Sequence, residues 1–573
     1  MLKNLQPQDV KNLSKSQLNV LCDELRNVIY DTVNKCGGHL ASNLGSVESI
    51  LAMFYVFDFP HDKIVFDVGH QCYPYKLLSG RYEKFSTLRQ SGGISGFPKR
   101  SESEYDCYDT GHAGTSVSAA LGIAKASELK GEQRCVIAYI GDGSFNNGLI
   151  YEALSSLKIV NTKILIVLND NGMSISPTVG GMYDILFKLH TEKAEGVKLL
   201  EQFGLKYIGV KNGNDLEEML DAMTEAKNEL QNSSVILHVV TKKGKGYEFS
   251  EEHPENTHGI SPIGSLKNRE YSEVLGETLC EMAKTNSDIA VVSAAMTGPL
   301  GLDKFFNLYP ERAFDVGICE ENASVLCAGM ASQGLKPYYA IYSTFLQRAF
   351  DEIIHDVCAQ DMPVTFCVDR AGISGADGET HQGVFDLSYL SLIPNLTIAS
   401  PKDTEEYKKM LLFSESYMHP LAIRYPRAGV VLFGNDERPI EVGKWEYLHK
   451  AKTEKLTVLA TGERSLLIAM KALKAVQEHG KDFNVVNARF VKPLDTELLD
   501  SIQGEIITIE DNVALGGFGS LVSGYMMQST KNNRVKVFAY RDEFIRHGSI
   551  AELQSEYGVD YQEIYSYVLG LLK

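Results

Sequence analysis

Apolar and polar positions alternate along this chain in blocks of strand length and helix length. Residues 135–140 and 164–168 are short β-branched and aliphatic runs, and each stops abruptly in small and polar residues. The first ends in Gly141-Asp142-Gly143, the second in Asn169-Asp170-Asn171-Gly172. Between them Leu149, Ala153, Leu154 and Leu157 recur near helical spacing, which predicts a helix over 148–160. Strand, helix and strand then form one right-handed parallel crossover. Both polar loops fall at the carboxyl ends of parallel strands, where open α/β sheets bind ligands.

The same reading extends in both directions. Leu18, Leu21 and Leu25 mark one face of a helix over 14–35, opened by Ser14 or Ser16. A Gly-rich turn, 36–45, precedes a second apolar helix at 47–56. Residues 63–71 give a short strand ending in Gly69 and His70. Residues 92–110 are loop-like, and Gly111–Ser116 opens an Ala-rich helix at 117–128. A further strand is expected at 235–240, followed by a Gly- and Lys-rich loop. The polar run to Ser265 has the composition of a linker.

A second α/β pattern begins near Tyr271. Its strands are predicted at 289–294, 313–318, 338–341, 364–368, 397–399 and 421–424, with helices at 272–285, 322–333 and 344–359. A third has strands at 456–460, 483–487, 506–510 and 535–539. The fold class is therefore α/β, with three consecutive doubly wound domains over 1–265, 271–440 and 450–573.

The 573 residues exceed what one hydrophobic core supports, in keeping with several domains. The formal net charge of -18 argues against nucleic acid or an anionic membrane as partner. No apolar run approaches membrane-spanning length. The ten cysteines are scattered without a CxxC pair, as expected of reduced thiols in the cytoplasm. The start lacks the apolar stretch of a signal peptide. At the two strand ends, Asp142 and Asn171 offer hard oxygen donors suited to Mg²⁺ shared with water or a diphosphate.

One resemblance spans nearly the whole chain in order. It is carried by GGHLASNLGSVES, DVGHQCYPYKLLSGR, GHAGTSVSAALG, LNDNGMSIS, TKKGKGYE, FDVGICEE, AIYSTFLQRAFDEIIHDV, DRAGISGADGETHQGVFDLSYL, RYPR, TIEDNVALGGFGS and DEFIRHGS. Together they make the chain resemble the 1-deoxy-D-xylulose-5-phosphate synthase family of the transketolase superfamily. The resemblance implies a transketolase-like fold, thiamine diphosphate and Mg²⁺ as cofactors, and a homodimer. The implied reaction condenses pyruvate with glyceraldehyde 3-phosphate and releases CO₂. Carried over by residue, Asp142, Asn171 and the Met173 carbonyl match the metal ligands. Gly143, Ser144, Gly111, His112, Ala113, His70 and Lys243 match the cofactor cradle. Glu320 matches the glutamate on the aminopyrimidine, and Phe345 the aromatic stacked on that ring. His39, His258, His381 and Asp377 match catalytic positions. Ser42, Tyr342, Arg348, Arg370 and Arg424 match substrate positions, the last two as phosphate ligands. The implied site draws on the first two domains.

Some positions depart from the family pattern. Glu320 is followed by Glu321-Asn322 in place of Gln-His, Asn214 replaces a histidine, and Gly114 replaces a serine. Ser155-Ser156 stand for Asn-Asn, and 176–203 is short. Two other readings follow: a transketolase-type ketol transferase, and a non-catalytic paralogue that kept the fold.

Overall fold

The computed structural model describes every residue except 174–178, 192–193, 262–270, 428–430, 435–437, 453–454, 530, 532 and 573. Two compact units emerge. The first comprises Met1–Leu266 with Gly317–Cys319, the second Lys267–Val316 with Glu320–Lys573.

The first unit is built on five parallel strands: β2 (Lys63–Phe66), β3 (Val136–Gly141), β4 (Leu165–Asp170), β5 (Leu205–Asn212) and β6 (Ser234–Val240). Their order is β2-β3-β4-β6-β5. Alternate residues of β3 and β4 feed two separate cores. Ile137, Tyr139, Leu165 and Val167 enter one, and Val136, Ala138, Ile140, Ile166 and Leu168 the other. Both sheet faces are thus covered, which is why the strands read as unbroken apolar runs. The predicted helix at 148–160 is present, capped by the Asn147 side chain on the Leu149 amide and ended by left-handed Asn161. Ser14 caps the first long helix, Lys15–Cys36, through the Gln17 amide.

Two sequence expectations need correction here. β5 has no counterpart in the predicted strands: its side chains are only partly buried and Gly209 interrupts the apolar run. The linker expected up to Ser265 is structured over much of its length. Glu248–Glu252 is helical, and β7 (Gly259–Ile260) pairs antiparallel with β1 (Gly38–His39). Composition cannot reveal a two-residue ladder whose partner lies over 200 positions away. Residues 262–265 lie outside the described residues.

The second unit holds two sheets. The larger runs β17-β12-β13-β11-β10-β8-β9, with β8 (Ile289–Ser293), β9 (Ala313–Asp315), β10 (Lys336–Tyr342), β11 (Thr365–Asp369), β12 (Thr397–Ala399), β13 (Leu421–Arg424) and β17 (Phe490–Lys492). Only the β12–β17 pair is antiparallel. The smaller runs β14-β16-β15-β18-β19, with β14 (Glu446–His449), β15 (Leu456–Ala460), β16 (Asn484–Asn487), β18 (Glu505–Val513) and β19 (Val535–Tyr540). The chain leaves β16 in one sheet and enters β17 in the other within a few residues. The third sequence block thereby lends an edge strand to the second. The helix expected over 344–359 is broken into short α, 3₁₀ and π turns between Ser343 and Cys358.

Candidate active site

In the first unit the ends of β3 and β4 come together as expected. Asp142 is 1% exposed, and its Oδ1 accepts from the Asn171 amide at 3.3 Å. Asn171 Oδ1 in turn accepts from the Met173 amide at 3.2 Å. A carboxylate, an amide oxygen and a loop backbone are thus held within one short chain of hydrogen bonds.

The Gly111–Ser116 turn is fixed by a residue that sequence reasoning missed. Asp67 accepts from the Gly114 amide at 2.9 Å and the Ser116 amide at 3.1 Å. Burial pushes the Asp67 carboxyl up, and those hydrogen bonds oppose the shift. Gly114 has a local reason: φ is +88° and a Cβ would lie 2.4 Å from Asn147 Oδ1. Asn147 Nδ2 donates to the Ile318 carbonyl at 2.9 Å.

Three expected histidines meet. Ring centroids lie 5.7 Å apart for His39 and His70, and 5.5 Å for His258 with each of them. Asn43 joins their loops, donating to the carbonyls of His39 and His70 at 2.8 and 2.7 Å. The Ser42 hydroxyl lies 3.4 Å from His258 Nδ1. Burial, then neighbouring positive groups including Lys243, hold His70 and His258 well below the ordinary imidazole value. Lys243 is itself lowered by burial to about 8, against the attraction of Asp142. His70 Nδ1 is buried and has no protein hydrogen-bond partner, which marks a place where a ligand group fits.

Asn214 gives its replaced histidine a replacement role. Its Nδ2 donates to the Gly45 carbonyl at 3.0 Å and to Glu48 at 3.3 Å, and its Oδ1 accepts from the Lys242 amide at 2.6 Å. It pins the backbone next to Lys243. Glu48 is held by the buried Arg26 guanidinium.

In the second unit Glu320 is the first residue of the helix Glu320–Ser332 and is 5% exposed. Burial raises its carboxyl above the ordinary value, and Arg348 opposes that shift. Arg348, expected on substrate, reaches Glu320 Oε2 at 3.4 Å. Phe345 stacks near Tyr342 at 5.7 Å and meets His381 edge-on at 5.6 Å. His381 Nδ1 lies 2.9 Å from the Thr380 hydroxyl. The Arg370 guanidinium sits 4.2 Å from the Tyr342 ring centroid. Asp377 lies in the turn around Gly375 and Gly378, two residues with positive φ.

Arg424 is the expectation the structure corrects. It is buried, and its fork grips Asp386 at 2.9 and 3.0 Å and the Asp511 carbonyl at 3.1 Å. An arginine so enclosed is a strut of the core. Arg427, the second arginine of Arg-Tyr-Pro-Arg, is exposed. Its charge acts on the Tyr342 phenol together with that of Arg370. The motif alone does not separate the two arginines, because the choice depends on which one emerges from β13.

The chemistry of these groups fits a diphosphate-bearing cofactor and a hard divalent cation. Oxygen donors stand at Asp142 and Asn171, small residues and a buried lysine nearby, and a buried histidine nitrogen is available. Three mainly parallel sheets, with Asp142 and Asn171 at strand ends of the first, place the chain in the transketolase-like class of α/β enzymes. Family models match in the same sense: "1-deoxy-D-xylulose-5-phosphate synthase" over 2–198 and 192–241, "Transketolase, pyrimidine binding domain" over 267–430, and "Transketolase, C-terminal domain" over 443–564. The 1-deoxy-D-xylulose-5-phosphate synthase of Clostridium botulinum (strain Alaska E43 / Type E3) is 43% identical over 610 residues, covering 98% of both chains. That of Clostridium kluyveri (strain NBRC 12016) is 44% identical over 615 residues, covering 99% of this chain and 97% of its own. The chain belongs to the 1-deoxy-D-xylulose-5-phosphate synthase family.

Proposed function

We propose that the protein condenses pyruvate with D-glyceraldehyde 3-phosphate, releasing CO₂, to give 1-deoxy-D-xylulose 5-phosphate. The observation that carries this reading is Glu320. A buried carboxyl with a raised proton affinity is what hydrogen bonding to an aminopyrimidine nitrogen requires. Thiamine diphosphate, when bound, supplies a carbon nucleophile and an electron sink for decarboxylation.

This chain's residues do the rest. Asp142, Asn171 and the Met173 carbonyl hold Mg²⁺. Gly111, His112, Ala113, Gly143, Ser144, His70 and Lys243 cradle the diphosphate. Phe345 stacks on the pyrimidine, and Arg348 orients Glu320. His39, His258, His381 and Asp377 hold or move protons on substrate oxygens; the His258 imidazole, held below its ordinary value by burial, can serve both as donor and as acceptor. Arg370 and Arg427 bind the acceptor phosphate, with Tyr342 against Arg370 and Ser42 as a further polar contact. The chain works as a homodimer in the cytoplasm, the latter in keeping with cysteines scattered without a CxxC pair.

The test is direct. Purified protein receives pyruvate, glyceraldehyde 3-phosphate, thiamine diphosphate and Mg²⁺, while CO₂ and product are followed. Product formation that requires both substrates is the expected result. Turnover only with ketose donors would make it a ketol transferase. Cofactor binding without turnover on either set would make it a non-catalytic paralogue. Light scattering of the same preparation reads the dimer.

A further inference from the structure

Two motifs of the third block, TIEDNVALGGFGS and DEFIRHGS, carry no part of the chemistry above. Both meet one loop. Residues 372–383 form a closed loop whose ends, Gly372 and Gly383, exchange amide-to-carbonyl bonds at 2.6 and 2.8 Å. This loop bears Asp377 and His381. Asp511, on β18, takes the loop's first turn: Oδ1 accepts from the Ile373 amide at 3.1 Å. The same oxygen accepts from the Tyr540 hydroxyl at 2.6 Å, and Oδ2 accepts from Arg464 at 3.0 Å. Arg464 also donates to the Ile373 carbonyl at 2.6 Å. Gly372 is pressed so closely that a Cβ would lie 1.9 Å from Asp511 Oδ2, and its φ is +81°.

A second clasp lies further along the loop. Gln382 Oε1 accepts from the Ser374 and Gly375 amides at 2.6 and 3.1 Å. Its Nε2 donates to the Gly375 carbonyl at 3.2 Å and to the Arg546 carbonyl at 3.1 Å. The Gly548 amide reaches the Gly375 carbonyl at 3.4 Å.

We propose that Asp511, with Arg464 and Tyr540, is a positioning residue that holds the 372–383 loop in the conformation needed for the acceptor substrate. A loop rich in glycine has little conformational preference of its own, so its geometry must come from outside bonds. Asp511 and Tyr540 are buried, Arg464 is half-buried, and each bonds another member of the network, the condition under which such networks rigidify a site. The proposal rests on the synthase reading only in the word "acceptor"; the clamp itself is tested separately.

Asp511→Asn, Asp511→Ala and Tyr540→Phe are compared with the parent full-length protein. Hydrogen exchange of peptides covering 371–383 is measured alongside a peptide from β3. Exchange in 371–383 is expected to accelerate about tenfold in Asp511→Ala and less in the other two, with β3 unchanged. The KM for glyceraldehyde 3-phosphate is expected to rise about tenfold in Asp511→Ala, with thiamine diphosphate affinity within about twofold of the parent. Unchanged exchange in 371–383 overturns the clamp. Faster exchange with an unchanged acceptor KM overturns the positioning role. A parent without condensation activity refutes the synthase reading instead, and the exchange arm still decides the clamp. Should Asp511→Ala not fold, Tyr540→Phe carries the same two tests, because it removes one bond to Asp511 and leaves the carboxylate paired.

Discussion

Within one four-residue motif Arg424 is a structural arginine and Arg427 the proposed ligand of the acceptor phosphate. Arg424→Ala removes three hydrogen bonds, two of them to Asp386, and leaves that carboxylate buried at 0% exposure with its countercharge gone. Breaking one side of such a pair costs about 3–5 kcal/mol. At roughly 2–4 °C per kcal/mol for a large domain, the melting temperature falls by roughly 6–20 °C. Arg427→Ala removes an exposed side chain and changes stability by no more than about 0.5 kcal/mol. If Arg427 grips the acceptor phosphate, its loss raises the KM for glyceraldehyde 3-phosphate about 10–100-fold, the equivalent of one charge-assisted contact. Differential scanning calorimetry and steady-state kinetics on both variants read the two effects. A double variant, Arg424→Met with Asp386→Leu, removes both charges and recovers most of the lost stability. The reasoning fails if Arg424→Ala melts with the parent and shows the raised acceptor KM, or if Arg427→Ala leaves that KM alone.

Three further outcomes are expected. Glu320→Gln lowers turnover at least about 100-fold while keeping the fold, since a neutral amide cannot take part in proton exchange. Because the folded carboxyl is raised above its unfolded value of 4.5, its contribution to stability is full below that pH and lost as pH rises. Glu320→Gln therefore matches or exceeds the parent in urea melts at pH 8, and the difference closes below pH 4.5. Lys243, lowered from 10.5 to about 8, binds more protons unfolded than folded across that window, so its term strengthens stability as pH rises from 8 to 10.5. Binding of an anionic diphosphate, which needs the charged amine, weakens above pH 8 by calorimetry, and Lys243→Met removes that pH dependence. Asp142→Ala raises the Mg²⁺ concentration needed for half-maximal thiamine diphosphate binding about tenfold or more, read by fluorescence; an unchanged Mg²⁺ titration would move the metal elsewhere.

Much of the framework was legible because parallel strands buried on both faces must be apolar along their whole length. The runs before Asp142 and Asn171 stand out for that reason, and so do those before Asp369 and Arg424. Edge and mixed elements lacked that signal. β5 alternates weakly around Gly209, and the ladder between Gly38–His39 and Gly259–Ile260 is too short for any periodicity. Asp142 and Asn171 could be singled out because they sit beside glycines at strand ends; Glu320, Phe345 and the arginines came from the resemblance alone. The supporting residues could not be singled out. Asp67 and Asp511 resemble ordinary strand-end polar residues, and Asn43 an ordinary helix residue, until the backbone groups they bond are seen. Arg424 and Arg427 illustrate the same limit, since burial on Asp386 is a property of the packing and not of the motif.

The departures from the family pattern bear on whether the chain is a working enzyme or a relic of one. Loss of function leaves buried polar groups without their former partners and lets positions drift independently. Here the altered positions are locally resolved. Gly114 lies against Asn147 at a distance no side chain tolerates, and that asparagine both caps a helix and bonds the Ile318 carbonyl. Asn214 uses both ends of its amide to fix the backbone beside Lys243. Asn322 faces solvent and Glu321 is only partly covered, whereas Glu320 before them is buried against Arg348. Burial raises the Glu320 carboxyl at a desolvation cost, as it does the structural carboxyl of Asp67, and at Glu320 that cost falls on the group proposed to face the aminopyrimidine. Retention of that cost at Glu320, beside changes confined to compensated or solvent-facing positions, favours an active synthase over a paralogue that merely kept the fold.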